Sequence, residues 1–229
     1  MINTAVILAG GLGSRLKPFT DIIPKPLLPI GEKSVLEIQI AKLKASGIER
    51  VVLATNHKSA YIEKFFGDGS ALGVELIISK EQQKLGTAGP VRLAREYLGD
   101  DFIVMNGDVL CDIDYGNLVK TARNINASLT VGVKQVSVPF QFGNIEDDGT
   151  YIVGVEEKPD LSFNIVAGIY YMTDDIFQFI PENRRFDMDE LINTMLSSRA
   201  RIGKYQIPGY WLDIGREEDY RKAQKYYKR

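Results

Sequence analysis

Near its start the chain carries the segment AVILAGGLGSR at residues 5–15, followed by KPFT at 17–20 and PKP at 24–26. The apolar residues 5–9 predict a buried β-strand. The three glycines after it predict a loop whose backbone N–H groups can close around an anion. Arg15 and Lys25 add fixed positive charge beside this loop. A buried strand that ends in a cationic glycine loop is typical of phosphate sites, so we expect a polyphosphate to bind here.

Two other phosphate-binding motifs do not fit this loop. A P-loop requires Gly-x4-Gly-Lys followed by Ser or Thr, and no such pair follows the glycines at that spacing. The dinucleotide fingerprint requires a third glycine where Leu16 stands. A plain strand-to-helix turn is the simplest alternative. The position of Lys25 between two prolines favours a binding loop over that alternative.

Length and composition exclude several classes of protein. A chain of 229 residues can bury a substantial core, and we expect one compact domain over residues 1–229. A net charge of −2 without a basic run argues against duplex nucleic acid as a partner. One cysteine, Cys111, and one histidine, His57, exclude a disulfide framework and a zinc site of His and Cys ligands. No apolar run approaches the roughly 20 residues of a membrane span, and residues 1–4 lack the basic start of a signal peptide. We therefore expect a cytoplasmic protein with no membrane or nucleic-acid partner.

In the first half of the chain, short β-branched runs alternate with amphipathic stretches. Strands are predicted at residues 5–9, 51–55, 74–79 and 102–105, and helices at 36–46, 59–66 and 88–97. This alternating order predicts an α/β protein whose parallel sheet is covered by helices on both faces. Ligands in such sheets bind at the carboxyl ends of the strands.

The second half has a different pattern. Strand-like segments lie at residues 129–136, 142–146, 151–157 and 165–172, with a turn predicted at 147–149. These segments predict a meander that attaches an antiparallel lobe to the parallel sheet. Helices are predicted at 188–198, with Asp187 as the N-cap, and at 217–228. We expect residues 220–229 to form a solvated helix face, with a subunit contact as the alternative.

Two acidic residues are candidate metal ligands. Asp108 follows the strand predicted at 102–105, at the sheet edge that also carries the glycine loop. A carboxylate there is well placed to hold Mg²⁺ against phosphate oxygens, and an aspartate that caps the next turn is the alternative. Asp213 lies in the apolar run GYWLDIG at 209–215, where a buried acid requires a partner or a metal.

Together these segments resemble the motifs of sugar-1-phosphate nucleotidylyltransferases. The matching segments are GGLGSRL at 10–16, KPFT at 17–20, PKP at 24–26, LGTAG at 85–89, NGD at 106–108, EKP at 157–159, AGIY at 167–170 and WLDIG at 211–215. They cover nearly the whole chain in the family's order. The resemblance implies a Rossmann-like three-layer α/β fold, with a mostly parallel mixed sheet and a small antiparallel sugar-binding lobe.

The resemblance also assigns roles to individual residues. It implies a nucleotide-binding half at residues 1–112 and a sugar-phosphate-binding half at 113–229. The implied nucleotide-binding residues are Leu8, Gly10, Gly11, Gly13, Arg15, Lys25, Glu81, Gly86 and Thr87. The implied sugar-phosphate residues are Asn106, Gly143, Glu157, Lys158, Asn164 and Gly168. Mg²⁺ would be held by Asp108 and Asp213, and the catalytic residues would be Arg15, Lys25 and Asp108.

The implied reaction joins two anions. An oxygen of a sugar 1-phosphate attacks the α-phosphorus of a nucleoside triphosphate and releases pyrophosphate, and the sugar nucleotide serves surface polysaccharide or glycoconjugate synthesis. A phosphate dianion is already a nucleophile, so catalysis rests on positioning and charge neutralisation and requires no general base. The scarcity of histidine is therefore compatible with this reaction.

The segment SKEQQKLG at 79–86 is expected to face the nucleobase. Relatives that use uracil or thymine tend to carry Gln five residues before the glycine, and Glu81 stands at that position here. A carboxylate accepts from two donors, which suits guanine N1–H and N2–H₂. The run LGTAGP at 85–90 is also similar to mannose-1-phosphate guanylyltransferases, so we predict GTP as the donor. A shift of one residue would place Gln82 at the base and favour UTP or dTTP.

Other functions fit the sequence less well. A non-catalytic subunit that senses sugar nucleotides is expected to lack Arg15, Lys25 or a metal-binding acid, and all are present. An NAD-linked oxidoreductase is disfavoured by Leu16. His57 is expected to be a loop residue, Cys111 a small buried side chain, and Trp211 a core residue. The exposed lobe is a candidate surface for a homodimer.

Overall fold

A computed structural model describes residues 2–11, 13–56 and 59–227. The interpretation of His57 lies outside these residues. The described strands are β1 (Thr4–Leu8), β2 (Pro29–Ile30), β3 (Lys33–Ser34), β4 (Arg50–Thr55), β5 (Glu75–Lys80), β6 (Asp101–Asn106), β7 (Val109–Cys111), β8 (Leu129–Pro139), β9 (Asn144–Asp147), β10 (Ile152–Glu156), β11 (Asp160–Thr173), β12 (Ile202–Gln206) and β13 (Trp211–Asp213). The described helices are α1 (Phe19–Ile22), α2 (Val35–Ala45), α3 (Ser59–Phe66), α4 (Gly89–Leu93), α5 (Tyr115–Asn124), α6 (Met188–Ser197) and α7 (Glu217–Tyr227). Among the residues described, no helix is long and apolar enough to cross a membrane.

A seven-stranded sheet forms the centre of the molecule, with the strand order β12-β8-β11-β6-β1-β4-β5. The strands β6, β1, β4 and β5 run parallel to one another. β11 runs antiparallel to both β6 and β8, and β12 is parallel to β8. The predicted mostly parallel mixed sheet is therefore confirmed.

Two cores lie on opposite faces of this sheet. Val6 pairs with Val104 and faces one core, whereas the next pair, Ile7 and Met105, faces the other. This alternation follows from the two-residue period of a strand. The helices α2, α3 and α5 contribute buried residues to the core of Ile7, and α4 and α6 to the core of Val6. The three-layer arrangement predicted above is confirmed.

The lobe differs from the predicted meander. β8 and β11 belong to the central sheet at one end and extend beyond it at the other, where they pair only with each other. The register between them shifts near Gly168, whose φ is 70°. β9 and β10 form a separate hairpin. The lobe thus consists of this hairpin and the outer parts of two long sheet strands, because a β-bulge lets one strand serve both regions.

The prediction of a solvated face for the C-terminal helix is wrong for part of α7. The Tyr220 hydroxyl donates to the Pro29 carbonyl at 2.6 Å, and Ala223 is fully buried. The Tyr226 ring stacks on Tyr210 at a centroid distance of 3.6 Å. The helix therefore packs against its own chain, because Tyr220 and Tyr226 contact residues far away in sequence.

Candidate active site

A cavity of about 440 Å³ lies where β1, β4, β5 and β6 end. This is the carboxyl edge of the parallel part of the sheet, where such folds bind their ligands. Nine of the predicted residues line it: Leu8, Gly10, Gly11, Gly13, Glu81, Gly86, Thr87, Asn106 and Asp108. Its volume lies in the range typical of small-molecule sites.

The glycine loop forms one wall of the cavity. Gly13 has a φ of 63°, and a Cβ atom there would stand 2.8 Å from the Thr20 side chain. The Thr20 hydroxyl donates to the Gly13 carbonyl at 2.7 Å and fixes this turn. A Cβ on Gly10 would stand 3.1 Å from Oε1 of Glu81 and 3.3 Å from Nδ2 of Asn56. Gly13 is required by its positive φ and its close approach to Thr20, whereas a side chain at Gly10 would press on the Glu81 and Asn56 side chains.

Asp108 and Lys25 meet at the end of β6. Lys25 Nζ lies 2.5 Å from Asp108 Oδ2, and the Lys25 side chain is only 10% exposed. Gly107 lets the turn before Asp108 approach the end of β1, since its N–H donates to the Leu8 carbonyl at 3.0 Å and a Cβ would stand 2.8 Å from that oxygen. The turn after β6 is thereby held against the end of β1, with the Asp108 carboxylate at the cavity wall.

Asp213 lies beside Asp108. β13 pairs with β7 so that Asp213 is opposite Val109, and the Ile214 N–H donates to the Asp108 carbonyl at 2.8 Å. Surrounding protein atoms desolvate the Asp213 carboxyl and raise its pKa, and the negative charge of Asp108 raises the pKa further. The two carboxylates therefore act on each other electrostatically.

This pair fits a hard divalent cation. Mg²⁺ prefers oxygen ligands and is commonly held by one or two carboxylates together with substrate phosphates and water. No group of three or more His, Cys, Asp or Glu side chains suited to a metal occurs among residues 2–11, 13–56 and 59–227. A site built from Asp108 and Asp213 would thus leave most coordination positions to substrate oxygens and water.

Glu81 reaches the cavity from the residue after β5. Its Oε2 accepts from the Leu85 N–H at 2.9 Å. Burial raises the pKa of Glu81, and this hydrogen bond lowers it in part. Gln82 is exposed and does not line the cavity. The structure therefore brings Glu81 to the cavity wall in preference to the alternative residue.

The loop at residues 85–89 is clamped by the segment before α6. Asp187 Oδ1 accepts from the Thr87 N–H at 3.0 Å, and the Met188 N–H donates to Thr87 Oγ1 at 2.8 Å. Gly86 has a φ of 83°, and a Cβ there would stand 2.5 Å from Asp187 Oδ1. Asp187 is the N-cap of α6 as predicted, and it also fixes the cavity-lining Thr87.

The predicted sugar-phosphate residues fall into two groups. Asn106 lines the cavity, and Gly168 packs against it so closely that a Cβ would stand 2.5 Å from Asn106 Nδ2. The other four lie on the lobe and do not line the cavity: Gly143, Glu157, Lys158 and Asn164. A Cβ on Gly143 would stand 3.3 Å from Glu157 Oε2, and Lys158 Nζ lies 3.7 Å from Glu157 Oε1. The lobe therefore gathers a carboxylate and an ammonium group on an exposed surface.

Arg15 also lies outside the cavity wall. It is exposed and lines a neighbouring depression beside Gly215. The predictions for Cys111 and Trp211 are confirmed. Cys111 is buried, which raises the pKa of its thiol to about 12. Trp211 packs against the core and donates from Nε1 to the Ala167 carbonyl at 2.9 Å.

A family model described as "Nucleotidyl transferase" matches residues 4–229. The chain belongs to this family. Probable mannose-1-phosphate guanylyltransferase 1 of Oryza sativa subsp. japonica is 34% identical to it over 225 residues, which are 94% of this chain and 62% of that protein. The chain thus spans about three-fifths of the length of the curated relatives it matches.

Solved structures share the fold of this chain. HddC from Yersinia pseudotuberculosis superposes with a TM-score of 0.79 at 27% identity, covering 99% of this chain and 100% of that one. The same protein has been solved in complex with GMP-PN. A putative glucose-1-phosphate thymidylyltransferase from Bacillus anthracis, in complex with a sucrose, gives a TM-score of 0.80 at 26% identity, covering 99% of this chain and 95% of that one. The Rossmann-like prediction is confirmed.

Sequence reasoning missed six residues that line the cavity: Ser14, Ala54, Asn56, Lys84, Pro90 and Arg185. Asn56 follows β4 directly, so the rule that ligands bind at strand ends could have found it. Lys84 lies inside the segment predicted to face the base. Arg185 was missed because it reaches the cavity through long-range contacts: the backbone of the next residue, Phe186, is hydrogen-bonded to Leu85 and Ala88.

Proposed function

We propose that this chain transfers a nucleotidyl group from a nucleoside triphosphate, preferably GTP, to a sugar 1-phosphate and releases pyrophosphate. The observation that carries the proposal is that three kinds of group surround one cavity: the loop glycines Gly10, Gly11 and Gly13, the carboxylate of Glu81, and the carboxylate of Asp108. These groups match the phosphates, the base and the metal ion of one ligand, a metal-bound nucleoside triphosphate.

The phosphates would lie along the glycine loop, whose N–H groups donate to them. In the reaction, an oxygen of the sugar 1-phosphate forms a bond to the α-phosphorus, and the bond from that phosphorus to the bridging oxygen of pyrophosphate breaks. Lys25 is a nearly buried cation and Arg15 an exposed one, so they can neutralise charge that builds up on this path. No side chain has to take up a proton.

Asp108 and Asp213 would hold Mg²⁺, which when bound neutralises phosphate oxygens and orients the triphosphate. Desolvation is the main cause of the raised pKa of Asp213, and repulsion by Asp108 adds to it. A divalent cation held by these carboxylates would offset both effects, which supports this role. Lys25 holds Asp108 through its Oδ2 atom, which fixes the orientation of that carboxylate.

The preference for GTP rests on Glu81. The Leu85 N–H occupies part of the hydrogen-bonding capacity of Oε2, and a carboxylate retains further acceptor sites for guanine N1–H and N2–H₂. The names of the curated relatives and the complex of HddC with GMP-PN support the same base. Asn106, Gly168 and the four lobe residues are the proposed sugar-phosphate contacts, and surface polysaccharide or glycoconjugate synthesis is the proposed use of the product.

The test is pyrophosphate release from each of the four nucleoside triphosphates with a panel of hexose 1-phosphates and Mg²⁺. We expect fastest turnover with GTP, loss of turnover in EDTA, and no turnover in Asp108→Asn. Asp100→Asn is the matched control, because Asp100 is exposed and stands just before the opposite end of β6. Faster turnover with UTP or dTTP would refute the choice of base. Absence of turnover with every substrate pair would refute the proposed catalysis. Normal turnover in Asp108→Asn would refute the assignment of Asp108 as a metal ligand.

A further inference from the structure

A second depression, of about 700 Å³, lies next to the proposed active site. It is lined by Arg15, Arg216, Glu217, Glu218 and Arg221. Arg15 belongs to the segment that directly follows the glycine loop, and Arg216 directly follows Gly215. A Cβ on Gly215 would stand 3.8 Å from Arg15 Nη1 and 3.6 Å from Asp213 Oδ1. The depression is therefore adjacent to the candidate metal ligand and to the phosphate loop.

The charges in this depression do not cancel. Arg221 Nη2 lies 2.7 Å from Glu217 Oε1, so these two groups neutralise each other. Neither Arg15 nor Arg216 has an ion-pair partner within 4.0 Å among the residues that the structure describes. Glu218 opposes them with a single negative charge. Two guanidinium groups thus face one carboxylate within the depression, and the Asp213 carboxylate beside it also acts electrostatically on Arg15. A Mg²⁺ ion held by Asp213 would neutralise that second carboxylate, which leaves an excess of positive charge beside the place where a polyphosphate is proposed to bind.

The family resemblance implies that Arg15 stabilises the departing pyrophosphate, and we infer that Arg216, which lines the same depression, binds this leaving anion together with Arg15. This inference rests on the proposed function, because that reaction supplies the anion. Guanidinium groups bind phosphate oxygens through two parallel N–H donors, so a pair of them can hold a diphosphate that a single arginine would hold weakly. The site lies beside Asp213 and Gly215, and Arg216 is a product-binding residue.

The inference is tested by calorimetric titration of the intact chain with inorganic pyrophosphate in Mg²⁺ buffer, without nucleotide or sugar. We expect Arg216→Ala to bind pyrophosphate about tenfold more weakly, the size of one charge-assisted contact at a partly hydrated site. Arg216→Lys should retain more of the affinity, and Glu218→Gln should bind more tightly than the wild type. Arg201→Ala is the matched control, since Arg201 is an exposed arginine beside the edge strand β12.

The same variants are then compared as enzymes. We expect the inhibition constant of pyrophosphate in the forward reaction to rise about tenfold in Arg216→Ala, with an unchanged KM for the sugar 1-phosphate. Equal pyrophosphate affinity in Arg216→Ala and wild type would overturn the inference. The titration needs no turnover, so it separates the two claims. If no substrate pair reacts but pyrophosphate affinity still depends on Arg216, the proposed function is wrong and the anion site stands.

Discussion

Replacing Glu81 by glutamine tests what selects the nucleobase. The amide oxygen of the new side chain can still accept from the Leu85 N–H, which lies 2.9 Å from Glu81 Oε2, so the loop at residues 85–89 keeps its anchor. The other oxygen becomes an amino group, which places a donor where guanine presents donors. Uracil and thymine offer O4 and N3–H, for which an amide supplies one donor and one acceptor. The substitution should therefore reverse the preference without altering the cavity wall.

The magnitude follows from one hydrogen bond. A hydrogen bond to a charged group contributes about 1.5–3 kcal/mol. Because about 1.4 kcal/mol corresponds to a factor of ten in rate, the ratio of kcat/KM for GTP to that for UTP should fall by about 10- to 100-fold. The stability of the fold should not fall, since a neutral amide avoids the desolvation that raises the pKa of Glu81.

The assay is pyrophosphate release with GTP and UTP at fixed sugar 1-phosphate, supported by thermal unfolding. Gln82→Ala is the control, because Gln82 is exposed and away from the cavity wall. The pH profile supplies a second readout. The raised pKa means that Glu81 takes up a proton at a higher pH than an ordinary glutamate, so kcat/KM for GTP should fall as pH drops through that raised pKa. The Glu81→Gln enzyme should lack this fall. An unchanged GTP-to-UTP ratio in a folded variant would refute the reasoning.

Three further predictions concern the clamp and the lobe. Asp187→Ala removes the acceptor of the Thr87 N–H, so KM for the nucleotide should rise about tenfold while KM for the sugar 1-phosphate stays constant in steady-state assays. Gly86→Ala places a Cβ 2.5 Å from Asp187 Oδ1 in a left-handed conformation, so it should cost about 2 kcal/mol and lower Tm by roughly 4–8 °C by calorimetry. On the lobe, 71% of Phe142 and 72% of Tyr151 are exposed to solvent, so we expect the chain to sediment as a homodimer through this surface. The double variant Phe142→Ser, Tyr151→Ser should sediment as a monomer, and a monomeric wild type would contradict the prediction.

The parts of the fold that could be predicted are those with a local cause. The strand predicted at residues 5–9, for instance, corresponds to β1 (Thr4–Leu8), which is buried on both faces, so its sequence is almost entirely apolar. The loop after it requires glycine because Gly13 adopts a positive φ against Thr20. The position of Asp108 at the cavity could be predicted because ligands bind at the carboxyl ends of parallel strands and Asp108 follows such a strand. In each case a few adjacent residues carry the whole signal.

The parts that could not be predicted depend on distant contacts. α5 was missed because Gly116 falls in its first turn, and its helical character comes from buried residues such as Leu118 that face the sheet. β12 was missed because five residues with mixed polarity form a strand only through pairing with β8. The location of Arg15 beside Gly215 joins residues that are 200 positions apart. No periodicity in the sequence reports such a contact.

The ion pair of Lys25 with Asp108 is better explained by chemistry than by stability. The Lys25 side chain is 10% exposed and that of Asp108 30%, so both charges lose much of their hydration on folding. Their attraction offsets this loss only in part, and a pair of apolar side chains of similar volume would often stabilise a fold equally well. A lysine and an aspartate at this position therefore need another reason. Phosphoryl transfer between two anions supplies one, because it requires a fixed cation and a metal-binding carboxylate at the same place. Together with Gly107, which holds the turn against β1, the pair thus defines where the reacting phosphates are expected to meet.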